Sequence, residues 1–152
     1  MSTSRGMKLA SARATSDRYL LDQQVGFLLR KANQRHTAIF ANRITDDLTT
    51  TQWAALAKIH EIGSCSQNQL GREIAMDAAT IKGVVDRLAR RHLVVSESDP
   101  EDARRRIISL TDAGRDIVER ATPLAIEITS ETLDSLSEGE RLLLIELLQK
   151  IA

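Results

Sequence analysis

The chain has 152 residues, 21 basic against 21 acidic side chains, and only 3% aromatic residues. That length suits one domain built on aliphatic packing, and its zero net charge says nothing by itself about a nucleic-acid partner. A single cysteine, Cys65, excludes an intramolecular disulfide or a cysteine-built metal site, and no apolar run approaches the ~18 residues of a membrane helix.

Charge is unevenly spread. Residues 1–47 carry eight Lys/Arg and four Asp/Glu, whereas residues 116–152 carry three and eight. Residues 1–18 read as a flexible basic tail, with Arg5, Lys8, Arg13 and Arg18 and no periodicity. From Tyr19 to Ile44 the spacing predicts a long helix. Its stripe is Leu21, Val25, Leu28, Leu29, Ala32, Ile39 and Phe40 at intervals of three and four. His36 interrupts that stripe one turn before Phe40, and Arg30 lies at its edge. A lone histidine on an apolar face reads either as a satisfied core residue or as a polar anchor.

Leu48 to Ile62 is the second helix. Thr49 and Gln52 fit a capping box, with Leu48 and Trp53 as its hydrophobic staple. Trp53 reads as core filler under the long helix and as a flat wall available to a pocket. Gly63-Ser64 then breaks the chain. Ser66 caps a short helix to Ile74, and Met76-Asp77 make a tight turn into the next helix, a helix-turn-helix spacing. Gln67 and Asn68, at the exposed start of the short helix, are placed to touch phosphate. Cys65 stands beside the same helix start, where the dipole is expected to lower a thiol pKa.

Asp77 is a good N-cap for the helix that follows. Ile81, Val84, Val85 and Leu88 form one apolar stripe, and the opposite face carries Ala79, Lys82, Gly83, Asp86 and Arg90. Residues 78–92 hold four bases, Lys82, Arg87, Arg90 and Arg91, against the single acid Asp86. A slender basic helix suits a DNA major groove, about 12 Å wide. Ala79, Thr80 and Lys82 are the residues expected in the groove, with Arg87 and Arg90 beside it. Leu93-Val94-Val95 reads as a strand, Asp99-Pro100-Glu101-Asp102 as a turn, and Ile107 to Leu110 as the return strand. Arg104, Arg105 and Arg106 at the hairpin tip suit a minor groove or phosphates.

Gly114 to about Leu136 is helical by Ile117, Val118, Ala121, Leu124, Ile128 and Leu136, with a kink expected at Pro123. Ser137 and Glu140 fit a second capping box. The last helix is apolar on most sides, more than one small domain can cover. Leu143, Leu144, Leu147 and Leu148 are therefore expected in a dimer interface.

The run Asp99-Pro100-Glu101-Asp102-Ala103-Arg104-Arg105-Arg106-Ile107-Ile108-Ser109-Leu110-Thr111-Asp112-Ala113-Gly114 resembles the wing signature of the MarR (multiple antibiotic resistance regulator) transcription factors. That signature reads D-P-x-D-x-R, a strand, then L-T-x-x-G. The resemblance extends to Leu48-Thr49, Gln52-Trp53, Leu56 and Asp86-Arg87-Leu88, over roughly residues 20–152. It implies a mainly α fold with a small β-wing, a single domain over 19–152. The winged helix-turn-helix would span 48–113, and 19–47 with 114–152 would form a helical dimerisation region. It further implies a homodimer on a pseudo-palindromic DNA operator, released by a small molecule. Arg104 aligns with the family's wing arginine, and Asp102 is placed to support it.

In such proteins the first helix lines the effector pocket. Phe27, Phe40 and Trp53 are then its expected walls and Arg30 and His36 its polar anchors, a set that suits an aromatic acid or its coenzyme A thioester. A repressor in a prokaryotic cytoplasm is the resulting expectation. Two rivals stand beside it: a winged-helix interaction module gripping an acidic protein, and a redox-sensing regulator working through Cys65. Three histidines, no G-x-S-x-G, no phosphate loop and no metal-spaced cluster point away from an enzyme, a cofactor or a metal.

Overall fold

A computed structural model describes residues 18–152. The basic tail read over residues 1–18 lies, but for Arg18, outside the described residues. A turn of 3-10 helix at Leu21–Gln23 leads into α1 (Val25–Arg43), followed by α2 (Thr50–Ile62), β1 (Ser64–Ser66), α3 (Gln67–Glu73) and α4 (Ala78–Arg90). β2 (Val94–Ser98) and β3 (Arg106–Leu110) form the hairpin, and α5 (Asp112–Thr132) and α6 (Glu138–Ile151) close the chain.

Local chemistry sets most of these boundaries. Helix α1 starts later than the apolar stripe suggests, because Gln24 is extended and its side-chain amide donates to the Leu20 carbonyl at 2.9 Å. Thr49 and Gln52 form the reciprocal capping box at the head of α2, and Ser137 and Glu140 repeat it at α6. Asp77 and Thr111 cap α4 and α5. Helix α2 ends at Gly63, whose φ of 84° is open to glycine at little cost. Helix α5 passes through Pro123 and stops at Thr132, four residues short of the expected Leu136.

Strand β1 is a feature that sequence reading treated only as a break. Ser64, Cys65 and Ser66 pair antiparallel with Ser109, Ile108 and Ile107, so the hairpin becomes a three-stranded sheet in the order β1-β3-β2. Three short polar residues have no periodicity to read; their partner strand, some forty residues on, decides their conformation.

The core lies in the head. Leu56 and Ile59 of α2, Leu70 of α3, Ile81 and Leu88 of α4, and Ile108 of β3 are fully buried. Val84, Val85, Leu93, Val94, Leu110, Ile117 and Val118 complete the cluster, with Trp53 packed at its margin. Helix α1 runs along α5 instead, where Phe40 and Ile128 are buried. Helix α6 buries nothing within one chain. Val25, Leu28 and Leu29 of α1 face it across an open apolar groove of about 510 Å³.

Candidate nucleic-acid interface

Burying Ile81, Val84, Val85 and Leu88 turns the polar side of α4 outward, and Ala78, Ala79, Thr80, Lys82, Asp86, Arg87 and Arg90 are all exposed. The start of α4 is rigid. Asp77 accepts the Thr80 backbone N–H at 2.7 Å and the Thr80 hydroxyl at 3.0 Å. Those bonds to Thr80 hold the Asp77 carboxyl below the usual carboxylate range. Lys82 pairs with Asp86 at 2.7 Å, one turn on. Arg90 reaches only the Asp86 carbonyl, at 3.4 Å, and the Arg87 guanidinium lies beside Gly83.

Asn68 is exposed and Gln67 half-buried at the start of α3. Together with Ser66 they share a recess of about 170 Å³ with Arg104, Arg105 and Arg106. The first turn of α3 and the wing therefore meet, so the phosphate-touching residues read from two distant stretches fall on one side of the molecule.

Within the wing the three arginines differ. Asp102 accepts both the Arg104 backbone N–H, at 3.0 Å, and its Nε–H, at 3.2 Å, yet the Arg104 side chain stays 92% exposed. Arg105 stands 3.7 Å from Asp99, a nearly buried carboxylate that also accepts the Glu101 N–H at 2.9 Å. Arg106 is strapped back across the hairpin, donating to the Ser96 hydroxyl at 3.2 Å, to the Ser96 carbonyl, and to the Ser98 hydroxyl at 3.5 Å. Of the three, Arg104 presents its guanidinium most fully to solvent. Spacing alone does not show which strand an arginine folds back upon, so the three look equivalent in the sequence.

Arg91 is more than one of the four bases of residues 78–92. It donates to the Asp47 carbonyl at 3.2 Å and the Asp46 carbonyl at 2.6 Å, tying the end of α4 to the α1–α2 loop. The Asp46 carboxylate in turn pairs with Arg120 of α5 at 3.2 Å.

Cys65 requires a correction. It is buried in β1, and its thiol pKa is pushed up by that burial and by the Glu73 charge, not lowered by the neighbouring helix. A thiol held protonated and away from solvent is a poor oxidant sensor.

The residues expected around an effector are partly together. His36 and Phe40 have ring centroids 6.5 Å apart. The His36 Nδ1 lies 3.0 Å from the Thr132 hydroxyl, which already donates to the Ile128 carbonyl at 2.7 Å. With that hydroxyl proton engaged, the Thr132 oxygen is free to accept from Nδ1–H, the tautomer that leaves Nε2 as an acceptor. Arg30 is exposed, about 9 Å along α1 from His36. Glu127 of α5 pairs with Arg43, at 3.5 Å. Phe27 is half-buried under the Lys31 ammonium at 5.5 Å, and Trp53 belongs to the margin of the head core. Thr132, which fixes the histidine, carried no sequence signal, since 96 residues separate the pair.

On the proposed dimer face Leu143 and Leu147 are exposed and Leu144 and Leu148 half-buried within one chain. Among the described residues no helix is long and apolar enough to cross a membrane, and no cluster of three His, Cys, Asp or Glu side chains could hold a metal.

Comparison with known proteins agrees with this geometry. Residues 48–105 match the model of the MarR family. The chain is 41% identical over 143 residues to the HTH-type transcriptional repressor NicR of Pseudomonas putida, covering 93% of this chain and 90% of that protein. It superposes on a probable transcriptional regulator from Pseudomonas aeruginosa with a TM-score of 0.85 at 52% identity, covering 88% of this chain and all of the other. Bordetella bronchiseptica BpsR, solved to explain how 6-hydroxynicotinic acid regulates its DNA binding, gives a TM-score of 0.80 at 41% identity, with 85% and 98% covered.

Proposed function

The chain belongs to the MarR family of winged helix-turn-helix transcriptional regulators, and on that premise we propose that it is a repressor that grips its operator as a homodimer and lets go on binding a small aromatic acid. The observation that carries this reading is the likeness, over most of both chains, to BpsR, whose DNA binding 6-hydroxynicotinic acid regulates. Operator contact falls to Ala79, Thr80 and Lys82 in a major groove, Arg87 and Arg90 beside it, Gln67 and Asn68 on phosphates, and Arg104 in the flanking minor groove. Two-fold symmetry then sets half-sites about one helical turn apart.

The geometry supports both halves of the proposal. A dimer would cover the apolar groove between α1 and α6, including Leu144, Leu147 and Leu148. For the ligand, a His36 Nε2 acceptor near the Phe40 ring matches a hydroxyl on an aromatic ring, and the Arg30 guanidinium, without a carboxylate within 4.0 Å among the described residues, matches a carboxylate, bidentate where the approach allows. Phe27 and Trp53 would supply apolar walls.

The test begins with genomic fragments selected by the purified protein, from which an operator is defined. Operator-bound protein is then titrated with hydroxynicotinic, hydroxybenzoic and related acids and with their coenzyme A thioesters, following fluorescence anisotropy. Release by an aromatic acid, weakened about tenfold or more in Arg30→Ala and His36→Ala, is the expected result. Release of both variants at the wild-type concentration would remove these residues as anchors. No release by any of the compounds would remove the aromatic effector.

A further inference from the structure

We propose that the crevice between the start of α2 and the end of α4 is a phosphate-binding site, occupied in the complex by one backbone phosphate of the operator duplex. Its walls are Asp47, Gln52, Arg87, Arg90 and Arg91, and its volume is about 400 Å³. The inference rests on the reading that α4 enters a major groove, and it assigns to DNA binding two residues, Gln52 and Arg91, that the reading helix does not present.

Three features make the crevice a site. The first is uncompensated charge. Among the described residues, none of the three guanidiniums has a carboxylate within 4.0 Å, although Arg35, Arg43, Arg104, Arg105, Arg115 and Arg120 all do. Three cations facing one opening with a single acid, Asp47, leave a local excess that an oxyanion would neutralise. Arg91 is also oriented in advance, because its two carbonyl bonds fix the guanidinium plane without consuming its charge.

The second feature is Gln52. Its residue is 7% exposed, and its Oε1 is committed to the capping box, accepting the Thr49 N–H at 3.1 Å. The other end of that amide, Nε2, has no protein partner among the described residues, while Gln52 lines the crevice. No buried side-chain nitrogen or oxygen among them lacks a partner, so the little surface that this residue keeps includes Nε2, a donor left over for whatever enters. The third is the first turn of α2, whose positive dipole end lies behind Gln52 and favours an anion. A duplex phosphate fits better than a free anion because Arg87 and Arg90 also stand on the outward side of α4, where the rail of phosphates along a major groove would pass.

Gln52→Glu is the discriminating change. Glutamate at this position is itself a capping-box residue, so the fold keeps its cap while the crevice loses a donor and gains a negative charge. Arg90→Gln, on an exposed side chain, is the companion. Operator affinity is measured against salt concentration for the wild type, both variants and the double variant, with melting curves on each. Each single variant should bind roughly tenfold more weakly and lower the slope of log K against log salt by about 0.9, the signature of one phosphate. The double variant should lower it by the same 0.9 and no more, because the two residues share that phosphate. Melting should stay near the wild type.

An unchanged slope in a folded Gln52→Glu protein, or a double loss in the double variant, overturns the inference while operator binding by the wild type stands. A wild type that selects no duplex overturns the operator reading and the phosphate site with it. Free anion is tested separately, by melting in inorganic phosphate at fixed ionic strength. Phosphate that stabilises wild type and not Gln52→Glu, with operator slopes unchanged, assigns the site to a small anion and also overturns the proposal.

Discussion

Gly114, in the first turn of α5, carries the sharpest prediction about how the head is joined to that helix. A Cβ built there would stand 2.1 Å from the Leu93 carbonyl oxygen and 3.4 Å from a Leu110 methyl. The first contact is with backbone, so no rotamer change relieves it. Leu93 O also accepts the Thr111 N–H at 3.1 Å, and Thr111, the cap of α5, donates its hydroxyl to the His92 carbonyl at 2.7 Å. Gly114→Ala must therefore lift α5 off the α4–β2 corner by about 1 Å.

The cost combines overpacking, typically 1–3 kcal/mol, with a weakened hydrogen bond, about 0.5–1.5 kcal/mol. Alanine's better helix propensity offsets up to about 1 kcal/mol. The balance is a destabilisation of roughly 2 kcal/mol, or a melting temperature lower by about 4–8 °C for a chain of this size. Calorimetry at a fixed protein concentration reads it, since the stability of any dimer, such as the one proposed, depends on concentration. Gly83→Ala is the control: its Cβ would meet only the Arg87 guanidinium, at 3.6 Å, so that variant should melt no lower than the wild type. A Gly114→Ala protein as stable as the wild type would refute the close-approach reasoning.

The remaining predictions concern assembly and the wing. Leu147→Glu would place an unpaired charge in the proposed apolar interface at a cost of several kcal/mol, so sedimentation should show monomer and operator binding should be lost; a wild-type monomer would contradict the dimer. Arg104→Ala should weaken operator binding with unchanged melting. Arg106→Ala should instead speed amide exchange in the Ser96–Ser98 segment and leave the salt slope unaltered; equal binding losses in both variants, without any change in exchange, would show that Arg106 is a DNA contact after all.

Period and caps made the head legible in the sequence. Ile81, Val84, Val85 and Leu88 sit at helical spacing and all four are buried, and the caps Thr49, Ser66, Asp77 and Ser137 each hold the bond their position predicts. What stayed hidden depends on chain contacts far apart in sequence. Strand β1 exists because β3 pairs with it. The fate of Arg106 depends on Ser96 across the hairpin, and that of His36 on Thr132. Local patterning ranks conformations of one segment, but it cannot say which of several exposed cations finds a partner. The C-terminal helix is the reverse case. Its apolar face was readable, and among the described residues nothing of the chain covers it.

These contacts also indicate where a ligand signal would enter the head. Helix α5 is 21 residues long, about 31 Å. Its N-terminal half is built into the head core through Ile117 and Val118, with Gly114 pressed against Leu93 and Arg120 joined to Asp46, whose carbonyl holds Arg91 at the end of α4. Its C-terminal half packs on α1 through the buried Phe40 and Ile128, and past Ile128 the contact is polar: Arg43 to Glu131 at 2.6 Å, Arg35 to Asp134 just beyond the helix at 2.9 Å, and the His36–Thr132 bond. Exposed pairs contribute little, about 0–1 kcal/mol each, whereas displacing packed core residues costs several. The soft joint is therefore the last turn of α5 against α1, beyond Ile128 and beside His36, and the stiff ones are within the head and at the Phe40–Ile128 packing. On the proposed function, a ligand held at His36 would displace that last turn against α1 before it distorted α4, and the head would follow α5 as a rigid unit, changing the spacing of the two recognition helices in the proposed dimer. Such a ligand acts only by preferring the misplaced spacing. Driving the population from 1:99 to 99:1 takes about a 10⁴-fold preference, more than one histidine contact supplies, so Arg30 and the apolar walls must contribute to the same difference.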